Sequence, residues 1–315
     1  MTSHPRIVSL IPSATEIVAS LGLGQYLVGR SHECDYPDWV QSLPICTEPK
    51  FDPEGSSREV HDRVTSLLQS ALSVYRVKVD QLKQLQPTHI LTQAQCEVCA
   101  VSLADVERAV GEMTGLHPQI VSLQPSLLVE VWDDFQTVAV ALEGEAGLER
   151  AQQAVTPLQH RLHTLTRQTA ALPRPTVVCI EWPDPLMAAG NWVPELVELA
   201  GGTPLLATVG KHSPWIDWPS LMAANPERIV LMPCGYDLAK TALESQLLWQ
   251  NPKWDQLQAA QNQQVFVTDG NQYFNRPGPR LVDSAEILAE IFHPNHCSFG
   301  FQGKGWLPLA ASISK

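Results

Sequence analysis

Positive charge is scarce in this chain. Of 315 residues, 21 are Lys or Arg against 33 Asp or Glu, which gives a formal net charge of -12 at pH 7. An acidic surface of that size repels phosphate backbones and anionic bilayers, so no nucleic-acid partner is expected. Long apolar runs are missing as well. No stretch approaches the ~20 apolar residues that a membrane span requires, so no membrane insertion is expected. The opening residues lack the pattern of a secretory signal: Arg6 comes late, and the apolar run 7–11 is broken at Pro12. As written, the chain is expected to be cytoplasmic; an upstream start encoding a signal would place it in the periplasm or at the cell surface. G-x-S-x-G, G-x-G-x-x-G and G-x-x-x-x-G-K-[ST] are all absent, which removes the common hydrolase, dinucleotide and P-loop readings. The seven cysteines are an odd number and irregularly spaced apart from Cys96-x-x-Cys99, so a disulfide framework is not expected and reduced thiols are.

What remains is an ordinary globular composition, 44% hydrophobic and 17% charged, long enough for about two domains. Residues 6–11 form a short β-rich run. Residues 12–15 are expected to turn with hydroxyl caps, and Glu16 to open a helix through Ile17, Val18 and Leu21 that Gly22 and Gly24 end. Residues 26–29 make a second strand. The same grammar returns at 175–180 (strand), 181–192 (a long loop) and 193–200 (helix), closed by Gly201-Gly202. A closer repeat pairs Leu82, Pro87 and Ile90 with Leu221, Pro226 and Ile229: a helix end, a proline five residues after a leucine, then a buried strand. Two such matches in one order predict two α/β lobes with parallel sheets. Between them, residues 126–142 and then Leu148, Ala151, Val155, Leu158, Leu162 and Leu165 predict a long helix, kinked or restarted at Pro157. The divisions are therefore 1–125, 126–172, 173–293 and a tail, 294–315, whose Phe299, Phe301 and Trp306 should pack on the body. Residues 46–60 are expected to be a surface loop.

Ligands of open α/β sheets bind beyond the carboxyl ends of the strands. The segments there are rich in cysteine, aromatics and carboxylates. They supply Pro12, Ser13, Ala14 and Thr15, then Glu33, Cys34, Asp35 and Tyr36, then Cys96 and Glu97. From the second half come Glu181, Trp182, Trp192, Trp215, Tyr236, Tyr273, Asn275 and Arg276. Flat apolar walls with a few polar handles suit a large planar or chelate ligand in a cleft between the lobes. A bound metal ion is a second expectation, through Cys34, Cys96, Cys99, His212 and Cys234. The rival to a binding protein is a thiol- or metal-dependent enzyme built on Cys34, Cys96, Cys99 and Cys234. Solvated loop carboxylates and inert buried thiols are the plainer reading of the same residues, and His32 and His212 read more readily as hydrogen-bonded loop residues than as ligands.

The run Arg-Ile-Val-Ser-Leu-Ile-Pro-Ser-Ala-Thr-Glu at 6–16 resembles the class III, cobalamin- and iron-chelate-binding proteins of ABC importers. So do Leu-Gly-Leu-Gly at 21–24, Val28-Gly29, Cys-Asp-Tyr-Pro at 34–37 and the Asn-Arg-Pro-Gly-Pro-Arg run from Asn275. The resemblance spans about residues 6–293. It implies two Rossmann-like lobes, a rigid connecting helix, a cobalamin or related metal-chelate or tetrapyrrole ligand, and an ABC-transporter permease as partner. It carries ligand contact onto Pro12, Ala14, Thr15 and Tyr36. Transporter docking falls on an acidic residue seven positions before each helix–strand proline. Asp80 keeps that charge; Pro219 does not.

Overall fold

In this computed structural model the described residues are 4–70, 74–93, 102–113, 115 and 117–309. The chain divides into two compact units. One comprises 1–55, 59–125 and 129–157; the other comprises 56–58, 126–128 and 158–315.

The first unit holds a four-stranded parallel sheet of order β2-β1-β5-β6, made of Leu27–Arg30, Ile7–Ser9, His89–Gln93 and Gln119–Leu123. Val8 stands opposite Gly29 on one side and Ile90 on the other. Its helices are α1 (Pro12–Ser20), most of α2 (Ser57–Gln69), α3 (Val79–Leu85), α4 (Leu103–Gly111) and most of α5 (Leu128–Glu143). The expected loop at 46–60 contains a strand: β3 (Thr47–Pro49) pairs antiparallel with β4 (Tyr75–Val77). The polar composition of that segment hid a strand whose partner is distant in sequence. Val8, Leu10, Ile90, Leu82, Val106 and Tyr75 meet in one core cluster, so the β3–β4 pair, α3 and α4 share one face of the sheet.

Helix α6 (Gly147–Thr169) then runs 23 residues without interruption, about 34 Å at 1.5 Å per residue. The restart expected at Pro157 does not occur. The buried stripe begins at Ala151 and continues through Val155, Leu162 and Leu165, whereas Leu148 is 48% exposed. Gly147 has a steric reason: a Cβ there would lie 2.3 Å from the Ala139 carbonyl oxygen of α5.

The second unit has a six-stranded sheet. Its path is β12-β11-β10-β7-β8, with β9 (Thr203–Pro204) on β7. Strands β7 (Thr176–Pro183), β10 (Arg228–Leu231) and β11 (Val265–Thr268) are parallel; β8 (Leu186–Ala188) and β12 (Trp306–Pro308) are antiparallel edges. The sheet is thus parallel at its centre, as expected, with antiparallel strands added at its edges. The long loop expected at 181–192 is largely a hairpin, since β7 runs on to Pro183 and turns back into β8. The tail does pack: Trp306 is buried, and β12 adds to β11. The helices are α7 (Val193–Leu199), α8 (Trp218–Ala224), α9 (Leu238–Glu244), α10 (Gln246–Trp249), α11 (Gln258–Gln261) and α12 (Leu281–Phe292).

The predicted repeat is present in detail. Helices α3 and α8 both end in a left-handed residue, Gln86 (φ 45°) and Asn225 (φ 35°), whose N–H donates to Leu82 or Leu221. Both leucines are fully buried. In each case the proline follows the cap and the next strand pairs parallel with the first strand of its sheet.

Candidate functional site

In the first unit the loop after β2 is held from within. The buried Arg30 guanidinium donates to the carbonyls of Ser31 (3.0 Å), Cys34 (3.1 Å) and Gln41 (3.1 Å). Three backbone acceptors on one planar donor fix the loop's course without any ligand. Ser31 Oγ accepts from Glu33 N and from Thr47 Oγ1, while Thr47 Oγ1 accepts His32 N at 3.0 Å. Tyr75 of β4 donates its hydroxyl to Glu33 Oε1 at 3.0 Å, and its ring lies 5.2 Å from that of His32. The effect is a set of loop side chains anchored on the antiparallel β3–β4 pair.

Cys34 is buried and its Sγ lies 3.1 Å from Thr15 Oγ1. Thr15 also donates to the Ile11 carbonyl. The expected hydroxyl caps at 12–15 are absent, because α1 begins at Pro12 itself, with Ile11 as a cap that makes no side-chain bond. Proline at N1 needs no N–H partner and presets φ, which starts the helix earlier than a capping serine would. Pro12, Ser13, Ala14 and Thr15 are thus the buried first turn of α1. Beyond them the loop turns outward: the Asp35 carbonyl accepts from Gln41, Tyr36 is 43% exposed and Trp39 is 45% exposed. Cys96, Glu97 and Cys99 lie outside the described residues.

In the second unit, Trp182 at the end of β7 packs its ring, tilted by 46°, 5.1 Å from that of Tyr236, from the loop after β10, and its indole donates to the Asp184 carbonyl. Lys240 Nζ sits 5.3 Å over the Tyr236 ring, and burial pushes the Tyr236 phenol up to about 12. Glu181 accepts from Ser213 Oγ at 2.5 Å, which in turn accepts from Gly190 N. This pins the 211–215 segment to β7 and leaves Trp215 57% exposed. His212 Nδ1 lies 3.1 Å from its neighbour's carbonyl, Ser213 O.

Trp192 is buried, with its indole N–H on the Phe274 carbonyl at 2.7 Å. Asn275 spends both side-chain donors on the carbonyls of Met232 and Gly270. Arg276 donates to Asn271, and Tyr273 stacks edge-on against Phe301 with Arg280 above it. Gly270 lets this loop reach the preceding one, since a Cβ would stand 2.1 Å from the Pro233 carbonyl oxygen. Asn275, Arg276 and Trp192 therefore shape the backbone of the strand-end loops.

Among the described residues no group of three or more His, Cys, Asp and Glu side chains could hold a metal ion. Cys34, Cys46, Cys179, Cys234 and Cys297 are free thiols. Burial pushes Cys46 and Cys179 up to about 12, which removes them as nucleophiles at neutral pH. Asp80 is exposed in the first turn of α3, and Pro219 is exposed in the first turn of α8, where the cap is Asp217.

The roles of Arg30, Thr47 and Tyr75 carry no sequence signal, because the loop and the two remote strands that anchor it meet only in the folded chain.

A family model described as "Periplasmic binding protein" matches residues 7–272. The vitamin B12-binding protein of Vibrio cholerae is 25% identical over 284 residues, covering 89% of this chain and 86% of the relative. An uncharacterized ABC transporter substrate-binding lipoprotein of Bacillus subtilis is 21% identical, with 92% and 80% covered. Among solved structures, the periplasmic vitamin B12 binding protein of Vibrio cholerae superposes with a TM-score of 0.63 at 21% identity, covering 99% and 98% of the two chains. The periplasmic heme-binding protein of Roseiflexus sp. RS-1 gives 0.67 at 21% identity, with 93% and 99% covered.

Proposed function

The chain belongs to the periplasmic binding protein family, whose members are substrate-binding proteins and not enzymes, and we propose that its ligand is cobalamin or a related metal chelate. The observation that carries this reading is the aromatic content of the strand-end loops. Tyr36 and Trp39 in one unit, and Trp215 in the other, offer flat apolar surface to solvent. Flat walls with a few oriented polar groups match a broad macrocycle better than a small polar solute. The curated relatives named for vitamin B12 support the same chemistry.

Delivery to an ABC-transporter permease follows from the family. Asp80, exposed on α3, is the docking residue we propose; Asp80→Lys should lower transporter stimulation while leaving ligand affinity unchanged. The free thiols support a reducing compartment; recovery of the native protein in a periplasmic fraction would overturn that point. The ligand is tested by absorbance. Protein isolated from its source should carry a corrinoid or tetrapyrrole spectrum, or take one up on titration with cyanocobalamin or haemin. A sample that binds neither refutes the assignment.

A further inference from the structure

His32 stands at the carboxyl end of β2, next to Glu33 and Cys34 in the strand-end loop of the first unit. Its proton can be placed from its partners. Thr47 Oγ1 lies 2.8 Å from His32 Nδ1 and donates its single proton to Ser31 Oγ at 3.2 Å. A hydroxyl whose proton is so committed can only accept from the ring, so Nδ1 carries the hydrogen. Nε2 is then an unprotonated lone pair. Among the described residues it has no hydrogen-bond partner, and the ring is half-buried against Tyr75.

The ring is also kept neutral. Burial, with Lys78 and Arg30 nearby, lowers the His32 pKa to about 4. An imidazole whose far nitrogen is fixed by a second residue is the usual form of a histidine metal ligand, because that bond sets the tautomer and the ring's direction. Most loop histidines lack one of these properties; His32 combines a fixed tautomer, a neutral ring, an open Nε2 and a place in the strand-end loop.

We propose that His32 Nε2 coordinates the metal centre of the bound chelate. This rests on the reading above that the ligand is a corrinoid or similar macrocycle. For a cobalt(III) corrinoid with water in its axial position, the Nε2–Co bond forms as the water leaves, with no change in oxidation state and no proton transfer. A ligand whose axial position is firmly filled, such as cyanocobalamin, would bind without that exchange.

The full chain is titrated with aquocobalamin and, separately, with cyanocobalamin, and both the corrin absorption bands and protein-bound corrinoid are followed. The expected result is binding of both, with an imidazole-type band shift for aquocobalamin only. His32→Gln should lose the shift while keeping a cooperative thermal transition. Thr47→Val, which leaves His32 in place but frees its tautomer, should weaken aquocobalamin binding roughly ten-fold, the usual size of an outer-shell effect. If the wild type binds both corrinoids with unchanged spectra, or the shift survives in His32→Gln, the coordination is wrong and the ligand assignment stands. If neither corrinoid binds, both fall together.

Discussion

Asp134 on α5 is 8% exposed, and its Oδ2 has no hydrogen-bond partner among the described residues. Burial, with Asp133 and Glu130 beside it, raises its pKa to about 7. The native state therefore favours the protonated acid while the unfolded chain ionises near 3.8. Stability from this group is full below pH 3.8 and is lost as pH rises through 7. Asp134→Asn should raise Tm at pH 8, by on the order of 2 kcal/mol of stability, and change little at pH 4. Thermal melts at the two pH values check this; an equal effect at both would show that charge is not the cause. His32 runs the other way. Its folded pKa is depressed, so its stability contribution is present above pH 6.5 and is lost as pH falls toward 4. Its imidazole resonances should titrate with a midpoint near 4, and a midpoint near 6.5 would refute the buried, neutral ring. The motif around His32 was visible in the sequence. Its partners were not, since Thr47 lies in a strand that polar composition disguised as a loop, and Tyr75 comes from the remote strand that pairs with it.

At the scale of elements, two contacts hold the ends of helices in place. Gly147 allows α6 to start against the backbone of α5, where any Cβ meets a carbonyl oxygen that cannot move aside. Gly147→Ala should cost about 3 kcal/mol, at the upper end of overpacking penalties, and urea unfolding measures it. Glu290 on α12 is the anchor of the tail. One carboxylate oxygen accepts the amides of Phe299, Gly300 and Phe301, and the other accepts the Trp306 indole N–H at 2.7 Å. Glu290→Ala leaves four donors without their partner, a loss of roughly 3 kcal/mol. Hydrogen exchange should quicken at 299–308 well before it does in β10 and β11; uniform loss of protection would contradict the local role.

The sequence conveyed the elements best where a short apolar run ended in a cap. The helix–Pro–strand repeat at Pro87 and Pro226 is an example, because a left-handed residue before proline has few alternatives. It conveyed them poorly where pairing is antiparallel and the partner adjacent or remote. Strands β8, β3 and β12 are three residues each, too few for a period to register. Pro157 misled for a different reason: the stripe from Ala151 to Leu165 buries enough apolar surface to carry the helix across a missing N–H.

The molecule as a whole is two compact units that share a helix, left-handed cap, proline and parallel strand in that order, and each presents aromatic side chains in the loops that follow its strands. That repetition is why the fold was legible from one chain, and the family match over residues 7–272 agrees with it. The ligand-facing side chains were legible only as a pool. Packing decided that Trp192 goes to the interior while Trp215 stays exposed, and no periodicity distinguishes the two. The ligand proposed above is a metal-chelate macrocycle, with Trp215 as one of the exposed aromatic side chains that meet it. The most direct test of this assignment is a calorimetric titration of the intact protein with cyanocobalamin, repeated on Trp215→Ala. A single site with Kd of ~1 μM or tighter, weakened about ten-fold by the substitution, is the predicted result. No heat of binding, with no quenching of tryptophan fluorescence by cyanocobalamin, cobinamide or haemin, would contradict it.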